Sequence, residues 1–248
     1  LIPSAYSPRA AKREEAHLPV RVKCHESETG EWEQSTELLN VSPLGALLQV
    51  SRPTEPGRLL HLTLPMPRRL RCYDHDEEHY GIWSLVRHIK TLAAEPDQLP
   101  NFEIGVAFTG KDCPPGHTTD PARRYDIALT TDATGLWGLL ERPGPDDSPL
   151  TAGERRSEAR HNLEYDVVIE IYDAAGRVYE SEATKTENIS RHGMAVITNL
   201  DLSRGRYVRV RSAEYQLAVI AAVRRLGETG DGRKRLHLEF VDQQWPAL

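Results

Sequence analysis

The chain has 248 residues, 39% of them hydrophobic, and a formal net charge of -6. With a mean hydropathy of -0.54 it reads as a soluble globular protein of one large or two small domains. No run of about 18 apolar residues occurs, so no membrane-spanning helix is expected, and the acidic balance argues against a general nucleic-acid binder, which needs a basic field.

Charge is uneven along the chain. Residues 1–118 carry 13 basic and 16 acidic side chains, residues 119–150 carry 3 and 6, and residues 151–248 carry 15 of each. The last third is therefore neutral, and a local arginine cluster there could capture an anion. Leu1 to Pro8 lacks the charged-then-apolar layout of a secretory signal. Cys24, Cys72 and Cys113 are an odd number at wide spacing, a poor disulfide framework that points to a reducing, cytoplasmic setting.

In chain order, Arg9-Ala-Ala-Lys-Arg13 precedes an alternating run, Leu18-Pro-Val-Arg-Val22, which predicts a first strand. Asn40-Val-Ser42-Pro-Leu-Gly45 lies 27 residues beyond Arg13 and leads into the apolar run Ala46 to Val50. A turn at Gly57 follows, then strand patterns at Leu59 to Leu64, Ile82 to Leu92 and Phe102 to Phe108. Asp112 to Gly153 is rich in Pro and Gly at both ends and reads as a structured linker; Asp120 to Leu129, with Pro121 in its first turn, predicts a short helix.

The pattern then recurs. Arg155-Arg156 and Arg160 precede Tyr165 to Ile169, and Asn188-Ile-Ser190-Arg-His-Gly193 lies 28 residues beyond Arg160. Met194 to Ile197, a turn at Gly205, and strand patterns at Tyr207 to Val210, Leu217 to Leu226 and Leu236 to Val241 complete the copy. Asn-x-Ser-x-x-Gly is expected by chance on the order of 0.02 times in this composition; finding it twice, each time at nearly the same distance from an Arg pair, makes the repeat real. The extra length of the first copy falls in Pro65 to Gly81 and around Glu95 to Asn101.

An Arg-x-x-x-Arg before a strand, with Asn-x-Ser-x-x-Gly about 28 residues on, resembles the PilZ family. The resemblance implies a mainly β chain with two six-stranded antiparallel PilZ-like β-barrels in tandem, at residues 1–118 and 151–248. A partly helical linker at residues 119–150 would join them. It also implies a bacterial receptor for cyclic di-GMP. Ligand residues carried over by position are Arg155, Arg156, Arg160, Asn188, Ser190 and Gly193 in the second copy, and Arg9, Arg13, Asn40, Ser42 and Gly45 in the first. The first copy has Pro8-Arg9 where the second has a doubled Arg, so one ligand contact is missing there.

The chemistry fits these residue types. A guanidinium forks onto guanine O6 and N7 or onto phosphate, and stacks on flat rings. Asn and Ser two apart on a strand share a face, and Gly lets the backbone turn or approach a ligand closely. Read singly, an Arg pair is solvated surface and Asn-x-Ser-x-x-Gly an ordinary turn; only the repeated combination favours a ligand.

Cys72, His75, His79, Cys113 and His117 are zinc-type ligands, yet the paired Cys-x2-Cys knuckles of a strong zinc signal are missing, and an acidic loop with incidental His is the simpler reading. No P-loop or nucleophile elbow is visible, so catalysis is not expected. The expected protein is a cytoplasmic, non-enzymatic receptor with no cofactor beyond the cyclic di-GMP ligand. It would change arm and inter-domain conformation to signal to an unidentified protein effector, without nucleic-acid binding or membrane insertion; a homodimer is compatible with the sequence. The alternative is an interaction adaptor in which one barrel, the first, binds no nucleotide.

Overall fold

The computed structural model describes residues 14–92, 101–143 and 160–246. Arg9, Arg13, Arg155 and Arg156 lie outside the described residues. After a two-residue strand β1 (Glu14–Glu15), the first half comprises β2 (Pro19–His25), β3 (Glu31–Ser42), β4 (Gly45–Val50), β5 (Leu59–Leu64), β6 (Tyr80–Thr91) and β7 (Phe102–Gly110). A short helix α1 (Pro115–Thr119) and a hairpin of β8 (Tyr125–Thr131) and β9 (Trp137–Glu141) follow. The second half holds β10 (Asp166–Tyr172), β11 (Val178–Ser190), β12 (Gly193–Thr198), β13 (Tyr207–Ser212), β14 (Leu217–Glu228) and β15 (Lys234–Phe240).

Both halves close into six-stranded antiparallel barrels with one strand order. The first runs β2-β3-β4-β7-β6-β5 and the second β10-β11-β12-β15-β14-β13, each returning to its first strand. Closure leaves no strand edge unpaired within the ring. Alternate residues point inward. Leu38, Val41, Leu48, Leu62, Ile82 and Ile104 fill the first core, and Val167, Ile169, Ile189, Met194, Val208, Val219 and Leu238 the second.

The copies also share their irregularities. A bulge precedes the motif Asn in each, between Leu38 and Asn40 and between Thr186 and Asn188. Another lies between Val86 and His88 and between Val223 and Arg225. Bulges bend and re-aim a strand, so the equivalent positions mark the same corners. The entering chain is in register too: Glu14 pairs with Val41, and His161 bridges Ile189.

The linker differs from expectation. The helix is α1, upstream of Asp120, and the stretch expected to be helical contains strand β8. Asp120 instead caps a turn, accepting from Ala122 N at 3.1 Å while Arg123 N bonds its carbonyl at 3.0 Å. Tyr125 then donates its backbone N–H to Gly57 O at 2.8 Å, and its ring packs with Leu59 and Leu85 on the outside of the first barrel. Tertiary burial of alternate residues overrides the weak helical signal. The insertion before β6 is wound around the buried guanidinium of Arg71, which donates to the carbonyls of Met66 (2.7 Å), Asp74 (2.8 Å), Glu77 (2.6 Å) and Glu78 (3.3 Å).

The barrels meet over a buried, charged interface. Tyr172, Tyr207, Ile220 and Ala222 of the second barrel join the hydrophobic cluster of the first. Among them, Arg52 donates to Glu26 Oε1 at 2.5 Å and to Asp173 O, and Arg206 pairs with Glu26 at 2.8 Å. Glu55 accepts from both terminal nitrogens of Arg224 and from the Tyr207 hydroxyl at 3.1 Å. Burial pushes the Glu55 carboxyl up, but the charge and hydrogen bonds of Arg224 outweigh it and hold the group below its ordinary range.

Candidate functional site

The two halves of the second-copy motif come together at one end of the second barrel. Arg160 Nη1 donates to Asn188 Oδ1 at 3.2 Å, across 28 residues of sequence. His161 N bonds Ile189 O at 2.8 Å and Ile189 N bonds His161 O at 2.9 Å. These bonds strap the end of the arm beside the last residues of β11.

Ser190 and Gly193 shape the turn between β11 and β12. The Ser190 hydroxyl donates to Gly193 O at 3.3 Å and accepts from His192 N at 3.4 Å. Ser42 does the same in the first barrel, with Gly45 O at 3.2 Å and Leu44 N at 3.3 Å. Both hydroxyls are thus engaged in closing their own hairpin turns.

The glycines are required by the neighbouring strand. A Cβ on Gly193 would fall 2.3 Å from Leu238 O, and one on Gly45 would fall 2.3 Å from Val106 O. Both contacts are with backbone, which cannot swing aside. Of the described motif residues, Arg160 and Asn188 remain with polar groups turned toward the arm. In the first barrel, Asn40 sits at the equivalent position and its Oδ1 is buried without a hydrogen-bond partner among the described residues.

Sequence reasoning missed the surroundings of this pair. Asn188 lies opposite Ala195, Ala195 opposite His237, and His237 opposite Arg225. Burial, with the charges of Arg160, Arg235 and Arg225 close by, holds the His237 imidazole below its ordinary pKa. Only strand register assembles these residues, and register is not written in a local pattern.

Glu239, next to Gly193 in the ladder, accepts from Arg224 Nε at 2.5 Å and pairs with Arg124 at 3.6 Å. A basic pocket of about 450 Å3, including its open mouth, adjoins this pair and is lined by Arg123, Arg124, Arg142, Arg204 and Arg224. Each arginine already has a carboxylate: Glu141, Glu55 and Glu239, Asp126, Asp120, and Glu55 with Glu239. The pocket belongs to the ion network that joins linker and barrels.

The zinc-type residues do not form a cluster. His117 packs edge-on to Trp83 and His25, and His75 Nδ1 lies 3.3 Å from Arg68 O. No group of three or more His, Cys, Asp or Glu side chains is arranged for a metal among the described residues. No helix there is long and apolar enough to cross a membrane.

The second half is thus a closed six-stranded barrel whose β11–β12 turn carries Asn-x-Ser-x-x-Gly, with Arg160 held beside it. In the family comparison, residues 154–244, which span the second barrel, match the PilZ domain. The first barrel repeats its strand order. No curated protein matches the chain.

Among solved structures, the Bacillus subtilis inhibitor of motility MotI (DgrA) is 16% identical over 93% of this chain and 90% of its own, with a TM-score of 0.30. Borreliella burgdorferi PlzA, solved in complex with c-di-GMP, is 10% identical over 94% and 87%, with a TM-score of 0.29. Escherichia coli YcgR, also solved with c-di-GMP, is 12% identical over 91% and 76%, with a TM-score of 0.25.

Proposed function

We propose that the protein is a cyclic di-GMP receptor that holds the nucleotide at the Arg160–Asn188 end of the second barrel and passes the signal to a protein partner. The observation that carries this reading is the 3.2 Å contact between Arg160 and Asn188, within the segment that matches the PilZ domain. It juxtaposes a guanidinium able to fork onto phosphate or guanine with an amide able to bond a base edge. Arg155 and Arg156 extend the same arm in sequence and would add two further guanidiniums. Ser190 and Gly193 serve by shaping the turn.

The signalling path follows the ion network. Glu239 stands beside Gly193 in the ladder and is tied to Arg224, which is tied to Glu55 of the first barrel. An anionic ligand settling at the turn competes for these guanidiniums and shifts the balance between site and interface. Binding chemistry suffices for this role, and catalysis is not part of it. Arg9 and Arg13 with Asn40, Ser42 and Gly45 are the corresponding residues of the first barrel.

Isothermal titration with cyclic di-GMP tests the reading. Arg160→Ala removes one or two charge-assisted hydrogen bonds, each worth about 1.5–3 kcal/mol, and should weaken binding at least tenfold. Unchanged affinity in Arg160→Ala would overturn the assignment of the site.

A further inference from the structure

Four strands of the second barrel place one residue each in a row across its outer face at the arm. Asn188 is opposite Ala195, Ala195 opposite His237, and His237 opposite Arg225. The sequence neighbours Ile189, Met194, Val196, Leu236 and Leu238 fill the core, so alternation turns Asn188, Ala195 and His237 outward; the bulge between Val223 and Arg225 brings the exposed Arg225 to the same face. At about 4.8 Å between strands the row spans roughly 14 Å, the extent of a base with its sugar and phosphate. Ala195 is the smallest outward residue in it and is fully buried beneath its surroundings.

The first barrel has the same row in the same register but with different side chains: Asn40 opposite Leu47, Leu47 opposite Gly105, and Gly105 opposite His88. Leu47 puts an isobutyl group where Ala195 has a methyl. The His88 ring lies directly over Gly105, so closely that a Cβ there would fall 1.8 Å from its Cε1. The guanidinium of Arg225 has no counterpart, because His88 stands in its place.

We infer that the row Asn188–Ala195–His237–Arg225 is the platform on which the nucleotide rests in the second barrel, and that the filled row Asn40–Leu47–Gly105–His88 closes the first barrel to it. This rests on the cyclic di-GMP reading and adds two ligand contacts and a selectivity element. His237 presents a flat ring for a guanine to stack on and Arg225 a fork for O6 and N7 or a phosphate oxygen, while the small methyl of Ala195, buried beneath its surroundings, lets them sit low where a larger side chain would lift them. The imidazole, held below its ordinary pKa by burial and by three surrounding arginines, stays neutral at pH 7 and keeps its face available for stacking.

Titration calorimetry of the full chain with cyclic di-GMP, with circular dichroism to confirm folding, tests the inference in three variants. Arg225→Ala alters an exposed side chain and should weaken binding about tenfold or more. Ala195→Leu copies the first barrel and should abolish binding at micromolar nucleotide. Arg160→Ala should leave no second class of sites. Wild-type affinity in Arg225→Ala and Ala195→Leu would overturn the platform while leaving the receptor reading intact. A residual saturable site in Arg160→Ala that Asn40→Ala removes would overturn the closure of the first barrel. A wild-type protein that takes up no cyclic di-GMP would instead refute the receptor reading, and this inference with it.

Discussion

Gly193 and Ser190 show how a motif can be legible while its physics is not. Their spacing stood out in the sequence because it occurs twice, yet the turn bonds and the close backbone approach behind it did not. Ser190 binds its own turn, and Gly193 makes room for a backbone carbonyl of β15. Gly193→Ala should therefore cost about 1–3 kcal/mol of stability through overpacking against an unyielding backbone, read as a lower denaturation midpoint with or without nucleotide. A fully stable Gly193→Ala that only loses binding would show that the glycine acts at the ligand. The repeated motif singled out Arg160 and Asn188, which the structure brings into contact; it gave no sign of Ala195, His237 and Arg225 beside them, because pairing partners 7 to 42 residues apart in sequence are set by register.

At the scale of elements, the apolar runs located β4, β5, β6 and β7 and their repeats within a few residues. Strands β3 and β11 carried no such run. Their residues alternate between exposed and half-buried over most of their length, so Glu, Ser and Thr dominate and the hydrophobic pattern is faint. The linker misled for the opposite reason: Tyr125 and Ile127 look compatible with a helix until the outer face of β5 and β6 supplies a surface for alternate residues.

That docking has a measurable worth. Tyr125→Ala empties a buried aromatic position and should destabilise the protein by about 3–5 kcal/mol, seen in urea unfolding. A loss below 1 kcal/mol would mean that the hairpin is not anchored there.

His117 on α1 gives the element a pH signature. Its ring is buried and neither nitrogen has a hydrogen-bond partner among the described residues. Burial, then the charges of Arg58 and His25, lower its pKa to about 4 from the ordinary 6.5. The folded state thus binds fewer protons than the unfolded one between these values. The contribution is fully present above pH 6.5 and is lost as pH falls toward 4, by up to about 3 kcal/mol. His117→Phe should flatten that decline when unfolding free energies at pH 7 and pH 4.5 are compared. An equal decline in the variant would assign the acid sensitivity to other groups.

For the whole molecule, the two barrels are joined by buried charges as much as by apolar contact. Glu55 holds Arg224 and the Tyr207 hydroxyl across the interface, in company with the Tyr172 and Tyr207 rings under Arg52 and Arg58. A buried pair adds little over a well-packed apolar one, but removing one partner leaves a desolvated charge behind. Glu55→Ala should accordingly cost about 3–5 kcal/mol, and differential scanning calorimetry should show the second barrel losing its coupling to the first. An unaltered single transition would remove the network from the signalling path.

None of this interface was visible in the sequence, since Glu26, Arg52, Glu55, Arg58 and Arg206 are scattered over loops of both copies and Arg224 lies within a strand. What the sequence did carry was the duplication itself, and with it the expectation of a receptor. The most direct measurement is a calorimetric titration of the intact chain with cyclic di-GMP beside its Arg160→Ala variant. The account expects saturable micromolar-range binding in the wild type and its loss in the variant. No heat of binding in the wild type, or equal binding in both, would contradict it.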